Sequence, residues 1–217
     1  DHRHLSHIYP VFPGHEINSI DHPEEIEKYK KAVSLRKIDA QTGWSMAHMA
    51  SIYARFNEGE KAAECLDNMA KSCLLPNFFT LHNDWRGMSG TLDMDPAPVQ
   101  LDAALGYVNA IQEMLVYATE DLVRLLPALP KRLKKGSVQD FQYPGGSITM
   151  KWDLENKSFY VSLKAARPHR IRLSLPEGFG QFHWISGKVE KSQDGRTYCL
   201  IFDRKGNMAE CGCGLFL

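Results

Sequence analysis

The chain has 217 residues, 43% of them hydrophobic and 24% charged, a composition typical of a folded globular protein rather than a disordered or fibrous one. Its 26 basic and 26 acidic residues balance, so charge supports neither a nucleic-acid partner nor a membrane partner, and we expect neither. The most apolar stretch, residues 103–118, contains Asn109, Gln112 and Glu113 and is too short and too polar to span a bilayer.

The first twenty residues carry two prolines, one glycine and four histidines, which predicts a structured loop with at most a short helical turn. The sequence starts at Asp1 without a charged and apolar leader, so we expect any targeting signal to be absent, removed or outside a piece of a longer product. Five cysteines without C-x-x-C spacing favour neither a disulfide framework nor a structural zinc site. The compartment stays open, with a secreted or periplasmic full-length protein as one option.

Four helices are predicted along the first part of the chain. Pro23, two glutamates and apolar residues at helical spacing predict a helix over 23–37. Apolar stripes predict a second helix over 44–56, with Trp44 in the core, and a third over 60–72. We expect these three helices to pack as successive antiparallel neighbours. A long loop over 75–99, rich in Asp, Asn, Gly and Pro, precedes a fourth helix predicted over 103–119.

The period of the apolar residues changes to two beyond Pro130, which we take as the domain boundary. Turn residues such as Gly145 and Gly146 separate alternating runs, which predict strands around 148–152, 159–163, 171–175 and 198–202. The predicted fold class is therefore α+β, with helical hairpins over 1–130 and an antiparallel β-sandwich over 131–217.

His2, His4 and His7 form the densest cluster of functional side chains in the sequence. Histidines at this spacing can converge on a metal, but Ser6 stands where the corresponding hydrolase motif has an aspartate. Three interpretations stay open: a metal-dependent hydrolase site, a loop whose histidines bond to backbone and solvent, and a polar ligand-binding loop. We favour the ligand-binding loop and predict no metal and no cofactor.

Asp102 lies at the start of the fourth predicted helix, directly after a proline-rich segment. Its carboxylate can cap the helix, or it can point from the helix end into a cleft as a base or base-orienting group. Trp85 and His82 in the long loop, together with Trp44 and His48 in the second helix, offer stacking and hydrogen-bonding surfaces for a sugar, with Trp85 the better binding candidate of the two tryptophans.

Several segments occur in an order that resembles glycoside hydrolase family 95: HRHLSHIYPVFPG, TGWSMAHMASIYARF with GEKA, NFF and LH, VQLDAALG, EML, and LLPALPKRLKKGSV. The similarity runs from about His2 to Val138 and continues more weakly to about residue 165. The family contains α-L-fucosidases and some α-L-galactosidases. The resemblance implies that residues 1–130 are the C-terminal portion of an α/α toroidal catalytic domain, followed by a β-domain.

The resemblance also implies inverting hydrolysis of terminal α-L-fucosyl or related α-L-galactosyl linkages in an oligosaccharide or glycoconjugate. Asp102 matches the aspartate of the family's QIDGNFG motif, on the base side of the reaction. His2, His4 and His7 match the histidine-rich loop that borders the sugar subsite. The family's general-acid glutamate lies upstream of HRHxSH, so the upstream remainder of the catalytic domain is an expected partner, and the isolated chain is expected to be inactive.

Two places in the sequence depart from the family pattern. Residues 103–105 are Ala-Ala-Leu where the family has Gly-Asn-Phe, and His48 stands where a tryptophan is common. The change removes a flexible glycine and a polar amide beside the proposed base, which bears on substrate preference and activity. The alternative function is a non-catalytic carbohydrate-binding or degenerate hydrolase-like protein.

Overall fold

The computed structural model describes residues 3–36, 40–192 and 197–216. The chain divides into two compact units, Asp1–Leu115 with Pro127–Pro130, and Val116–Leu126 with Lys131–Leu217. Within the described ranges, four α-helices come first and two five-stranded sheets follow, so the α+β class is confirmed. The toroid and the boundary at Pro130 stay predictions.

The first unit holds a short 3-10 helix and four α-helices, which are Ser6–Ile8, α1 Pro23–Ser34, α2 Gly43–Arg55, α3 Gly59–Cys73 and α4 Leu101–Leu115. Their apolar residues recur at helical spacing, and α3, for example, buries Ala62, Leu66 and Met69. The last helix ends four residues earlier than predicted because Val116–Ala118 pairs as a strand with Leu122–Leu125. Helix α1 ends at Ser34, also before its predicted end.

Small side chains let α2 and α4 approach closely over their N-terminal halves, and polar side chains join them further along. A Cβ atom added to Gly106 would lie only 2.9 Å from the Cβ of Ala47. The contacts pair Gly43 with Ala103, Ala47 with Gly106, Ser51 with Asn109, and Arg55 with Glu113. Because the residue numbers rise together in both helices, α2 and α4 run parallel to each other.

The second unit contains ten strands within its described residues: β1 Val116–Ala118, β2 Leu122–Leu125, β3 Lys135–Tyr143, β4 Gly146–Asp153, β5 Ser158–Ala165, β6 His169–Ser174, β7 His183–Ser186, β8 Lys188–Lys191, β9 Tyr198–Phe202 and β10 Met208–Cys213. The sheet orders are β1-β2-β6-β9-β8 and β3-β4-β5-β10-β7. Side chains of the two sheets meet where Tyr143 Oη lies 3.0 Å from His169 Nε2, and where the Trp184 and Tyr198 rings lie 5.4 Å apart. This arrangement agrees with a sandwich.

All described strand pairs within residues 131–217 are antiparallel, as predicted. The strand β2, which lies before this range, pairs in parallel with β6 and makes the first sheet mixed. The parallel pair follows from the chain path, since β3, β4 and β5 form the other sheet before β6 returns to lie beside β2. None of the described helices is long and apolar enough to cross a membrane.

Candidate functional site

The N-terminal loop lies alongside α2 from its first turn to its last residue. Leu5, Ile8 and Val11 are fully buried and anchor the loop in the helical core. At one end, the ring of His4 lies 5.0 Å from the ring of Trp44 in the first turn of α2. The residues that follow therefore face α2 in a fixed register.

Arg55, the last residue of α2, holds the other end of the loop. Its guanidinium is 6% exposed, and Nε and Nη2 donate to the two carboxylate oxygens of Glu113 at 2.5 and 2.8 Å. Its Nη1 donates to the backbone oxygens of Val11 and Gly14 at 3.2 and 3.3 Å. The guanidinium also lies 5.4 Å from the centre of the Phe12 ring. One buried cation therefore ties the loop to both α2 and α4.

A cavity of about 540 Å³ lies between this loop and α2. Its wall combines aromatic rings, imidazoles and hydroxyl groups from His4, Leu5, Ser6, Tyr9, Phe12, Pro13, Trp44 and His48. A wall of ring faces with a few polar groups suits small polar ligands that have an apolar face. Trp44 is half-buried: it packs against the core, as predicted, and also forms part of this wall, because its stripe on α2 is wide enough to meet the loop.

His48 lies one helical turn beyond Trp44 and is half-buried. Its ring centroid is 5.4 Å from that of Phe12 and 6.4 Å from that of Trp44. Burial lowers the pKa of His48 below its ordinary value of 6.5, and the nearby His4 lowers this pKa further. The imidazole is therefore neutral at pH 7.

The N-terminus of α2 contacts both the long loop and the residue that precedes α4. The backbone N–H of Gly43 donates to the carbonyl of His82 at 2.7 Å, and that of Trp44 donates to Gln100 Oε1 at 3.0 Å. A Cβ atom on Gly43 would lie 2.5 Å from the carbonyl oxygen of Leu81, so this approach requires glycine. The aromatic end of the cavity and the first turn of α4 therefore share this region of the helical unit.

Asp102 lies in this region, two residues beyond Gln100 and in the first turn of α4. It is exposed, and its Oδ1 accepts a hydrogen bond from the backbone N–H of Ala103 at 3.1 Å. A carboxylate at this position stabilises the helix start and is accessible to solvent. The geometry thus accommodates both sequence interpretations, the cap and the outward-facing base.

The other predicted site residues do not all join the cavity. His4 lines it, whereas His7 is exposed on the 3-10 helix and is not part of the wall. The ring of His82 contacts the side chain of its neighbour in sequence, with Nδ1 lying 3.0 Å from Asn83 Oδ1. Trp85 is 54% exposed and is also not part of the wall. Their roles in binding sugar stay predictions.

His2 lies outside the described residues, so the structure places only two members of the histidine cluster. Within the described ranges, no group of three or more His, Cys, Asp or Glu side chains is arranged to hold a metal ion.

Two residues important for the site's construction, Arg55 and Gln100, are missing from the sequence-based candidates. Arg55 follows Gly43, Ala47 and Ser51 at intervals of four residues on α2, so all four lie on one face of the helix. A charged residue on a face of small residues was the signal that the sequence offered. Gln100 carried no comparable signal because its role depends on a contact with Trp44, 56 residues earlier.

By its helices and its cavity, the first unit is an α-helical domain with a pocket suited to small polar ligands. Residues 1–115, more than half of the chain, match the glycosyl hydrolase family 95 catalytic domain. The chain therefore belongs to this family. The match covers the cavity wall, the long loop and Asp102.

Three relatives support this assignment. Alpha-L-fucosidase 2 of Arabidopsis thaliana is 31% identical over 153 residues, covering 70% of this chain and 18% of the relative. Probable alpha-fucosidase A of Aspergillus oryzae is 28% identical, covering 71% and 23%, and that of Aspergillus niger is 26% identical, covering 68% and 19%. The chain thus spans less than a quarter of the length of these curated relatives.

Proposed function

We propose that the complete protein carrying this chain is a glycoside hydrolase that removes terminal α-L-fucosyl or related α-L-galactosyl residues from an oligosaccharide or glycoconjugate. The observation that carries the proposal is the coincidence of three features within residues 1–115: the family match, the aromatic and imidazole cavity, and an accessible carboxylate at Asp102. The fucosidase names of the three relatives support the choice of sugar.

The proposed reaction proceeds with inversion, which requires an acid and a base on opposite sides of the sugar ring about 6.5–9.5 Å apart. Asp102 serves on the base side, where it deprotonates or orients the attacking water. The general acid belongs to the remainder of the catalytic domain, so the 217 residues alone are inactive. No metal or cofactor takes part in the proposed reaction.

The proposed architecture is a portion of an α/α toroid over residues 1–130, with the β-sandwich beginning at 131. Support for the toroid comes from the parallel packing of α2 and α4, since alternate helices of such a ring run in the same direction. On this proposal, His4 and Trp44 contact the sugar, and His2, His7, His82 and Trp85 complete the binding surface together with residues of the upstream remainder.

Asp102→Asn in the complete protein tests the catalytic role. Turnover of 4-nitrophenyl α-L-fucoside is expected to fall by about a thousandfold, because an amide cannot take up the proton of the attacking water. Asp67→Asn, at an exposed aspartate of α3, is the matched control and should leave turnover unchanged. Near-normal turnover in a folded Asp102→Asn protein contradicts the role.

The same variants distinguish the proposed hydrolase from the alternative function, a non-catalytic carbohydrate-binding protein. That alternative predicts measurable binding of L-fucose by the complete protein, no hydrolysis in the unaltered protein, and no effect of Asp102→Asn beyond a change in binding.

A further inference from the structure

The polar groups in the cavity wall limit which ligands the cavity can bind. The described residues that form it include no Asp, Glu, Lys or Arg. Hydrogen bonding therefore depends on the His4 and His48 imidazoles, the Ser6 and Tyr9 hydroxyl groups and the indole N–H of Trp44, together with backbone. Such a wall favours an uncharged ligand, because these residues offer no opposite charge to compensate a carboxylate or ammonium group for the water that it loses on binding.

His48 differs from His4, Ser6 and Tyr9 in where it is held. It projects from the rigid helix α2 rather than from the loop, and its ring lies near the rings of both Phe12 and Trp44. A side chain fixed by a helix and two aromatic neighbours loses little further freedom when it binds a ligand. His48 is therefore positioned to discriminate between ligands.

The hydrogen-bonding state of the His48 ring follows from its surroundings. Its Nδ1 atom is buried and has no hydrogen-bond partner among the described residues. Nδ1 is unpaired in either neutral tautomer, but an unpaired buried N–H is less readily tolerated than an unpaired buried acceptor, which favours a proton on Nε2. His48 thus has one N–H donor, at Nε2, that is not committed to the enclosed side of the ring.

We propose that His48 is a specificity-determining residue that donates a hydrogen bond from Nε2 to a hydroxyl group of an uncharged sugar ring in this cavity. Trp44 and Phe12 pack against the apolar face of the same ring. This inference rests on the proposed function, since it assigns one contact of the proposed substrate to one residue.

The test compares His48→Leu, which removes the donor at similar side-chain size, with His48→Gln, which keeps an N–H donor. Both variants are made in the complete protein, and L-fucose binding is measured by titration calorimetry alongside kcat and KM for 4-nitrophenyl α-L-fucoside. His48→Leu is expected to weaken L-fucose binding and raise KM by about tenfold, the effect of one net hydrogen bond. His48→Gln is expected to stay within about threefold of the unaltered protein, and His183→Leu, at an exposed histidine of β7, is the control.

A measurement on the unaltered protein covers the case in which the variants do not fold. Long-range proton–nitrogen spectra of the histidine side chains report which ring nitrogen carries the proton. We expect a neutral His48 with its proton on Nε2 and a shift of that signal when L-fucose is added. A proton on Nδ1, or no shift at saturating L-fucose, overturns the proposal.

The outcomes distinguish this proposal from the proposed function. If the complete protein binds and hydrolyses the fucoside but His48→Leu has unchanged binding and KM, the role of His48 is wrong and the hydrolase function stands. If the complete protein neither binds L-fucose nor hydrolyses the fucoside, the proposed function fails and the role of His48 fails with it.

Discussion

Arg55 shows how a single residue can organise a site without lining it. Its three nitrogen atoms donate to a carboxylate on α4 and to the backbone of the N-terminal loop, and its charge is almost fully buried. A buried pair of this kind contributes little net stability compared with apolar residues, but loss of one partner leaves an uncompensated charge. The ion pair therefore makes the loop position depend on both helices.

Arg55→Met is expected to lower the free energy of unfolding by about 3 kcal/mol, because the Glu113 carboxylate is left buried without its partner. The double variant Arg55→Met, Glu113→Leu should recover part of that loss. Urea unfolding provides the measurement, and Lys30→Met, which breaks the more exposed pair with Glu27, is the control with an expected change below about 1 kcal/mol. A change of similar size in Arg55→Met and Lys30→Met contradicts the account.

His15 adds a pH dependence to the same cluster. Its Nδ1 lies 3.1 Å from Arg55 Nη1, and burial together with Arg55 lowers the pKa of His15 below 6.5, although Glu113 and Glu16 oppose this shift. The folded state thus binds a proton less readily than the unfolded chain, so this contribution to stability is complete above pH 6.5 and is lost as pH falls below it.

His15→Asn keeps a potential acceptor for Arg55 but cannot titrate. The difference in unfolding free energy between pH 7.0 and pH 5.5 should therefore be smaller in His15→Asn than in the unaltered protein. His48, whose pKa is also lowered, is present in both proteins and cancels in the comparison. An equal pH dependence in the two proteins would show that His15 is not coupled to folding.

Helices are the elements that the sequence predicted best, and their contacts are what it could not predict. Apolar periodicity located all four helices in the described part of the chain to within a few residues, except at the end of α4. The seam between α2 and α4 is formed by small residues at one end and polar residues at the other, which carry little hydropathy signal, and it joins positions about 60 residues apart. The strand β3 was not among the strands expected from alternation because most of its positions are exposed or only partly buried.

A double-mutant cycle tests the seam between α2 and α4. Gly106→Ala improves helix propensity by about 1 kcal/mol, but its new Cβ meets that of Ala47, an overpacking cost of about 1–3 kcal/mol. We expect the single variant to be neutral or destabilised, and we expect it to become stabilising in the background of Ala47→Gly, where the opposing Cβ is absent. Additive effects of the two substitutions on the urea midpoint would show that the helices do not touch there.

At the scale of the whole molecule, α4 presents an apolar outer face. Leu101, Leu105 and Val108 lie at helical spacing and are 67%, 72% and 55% exposed. A contiguous face of this kind is typical of an interaction surface. We propose that the upstream remainder of the catalytic domain covers it, which agrees with the small share of its relatives that the chain spans.

The 217 residues produced alone should therefore self-associate. Sedimentation velocity is expected to show species larger than the 24.6 kDa monomer that increase with concentration. The variant Leu105→Gln, Val108→Gln should shift the distribution towards monomer, whereas Lys188→Gln on β8, remote in sequence, should not. A monodisperse monomer for the unaltered chain at all concentrations contradicts the assignment of this face.

Some features of the candidate site could be predicted from the sequence, and others are visible only in the structure. The order of motifs identified the family, and the structure placed His4 in a cavity wall and Gln100, two residues before Asp102, against the start of α2. The cavity itself depends on the distance between a loop and a helix, which periodicity does not contain. Trp44 could therefore be recognised from the sequence as a core or sugar-stacking candidate, but its place in this particular wall could not.

The most direct measurement is the stereochemical course of fucoside hydrolysis by the complete protein, followed by proton NMR during the first turnovers. The account predicts that 4-nitrophenyl α-L-fucoside yields β-L-fucose first, with the α-anomer appearing only later by mutarotation. First release of α-L-fucose would contradict the inverting role proposed for Asp102, and absence of hydrolysis would contradict the proposed function as a whole.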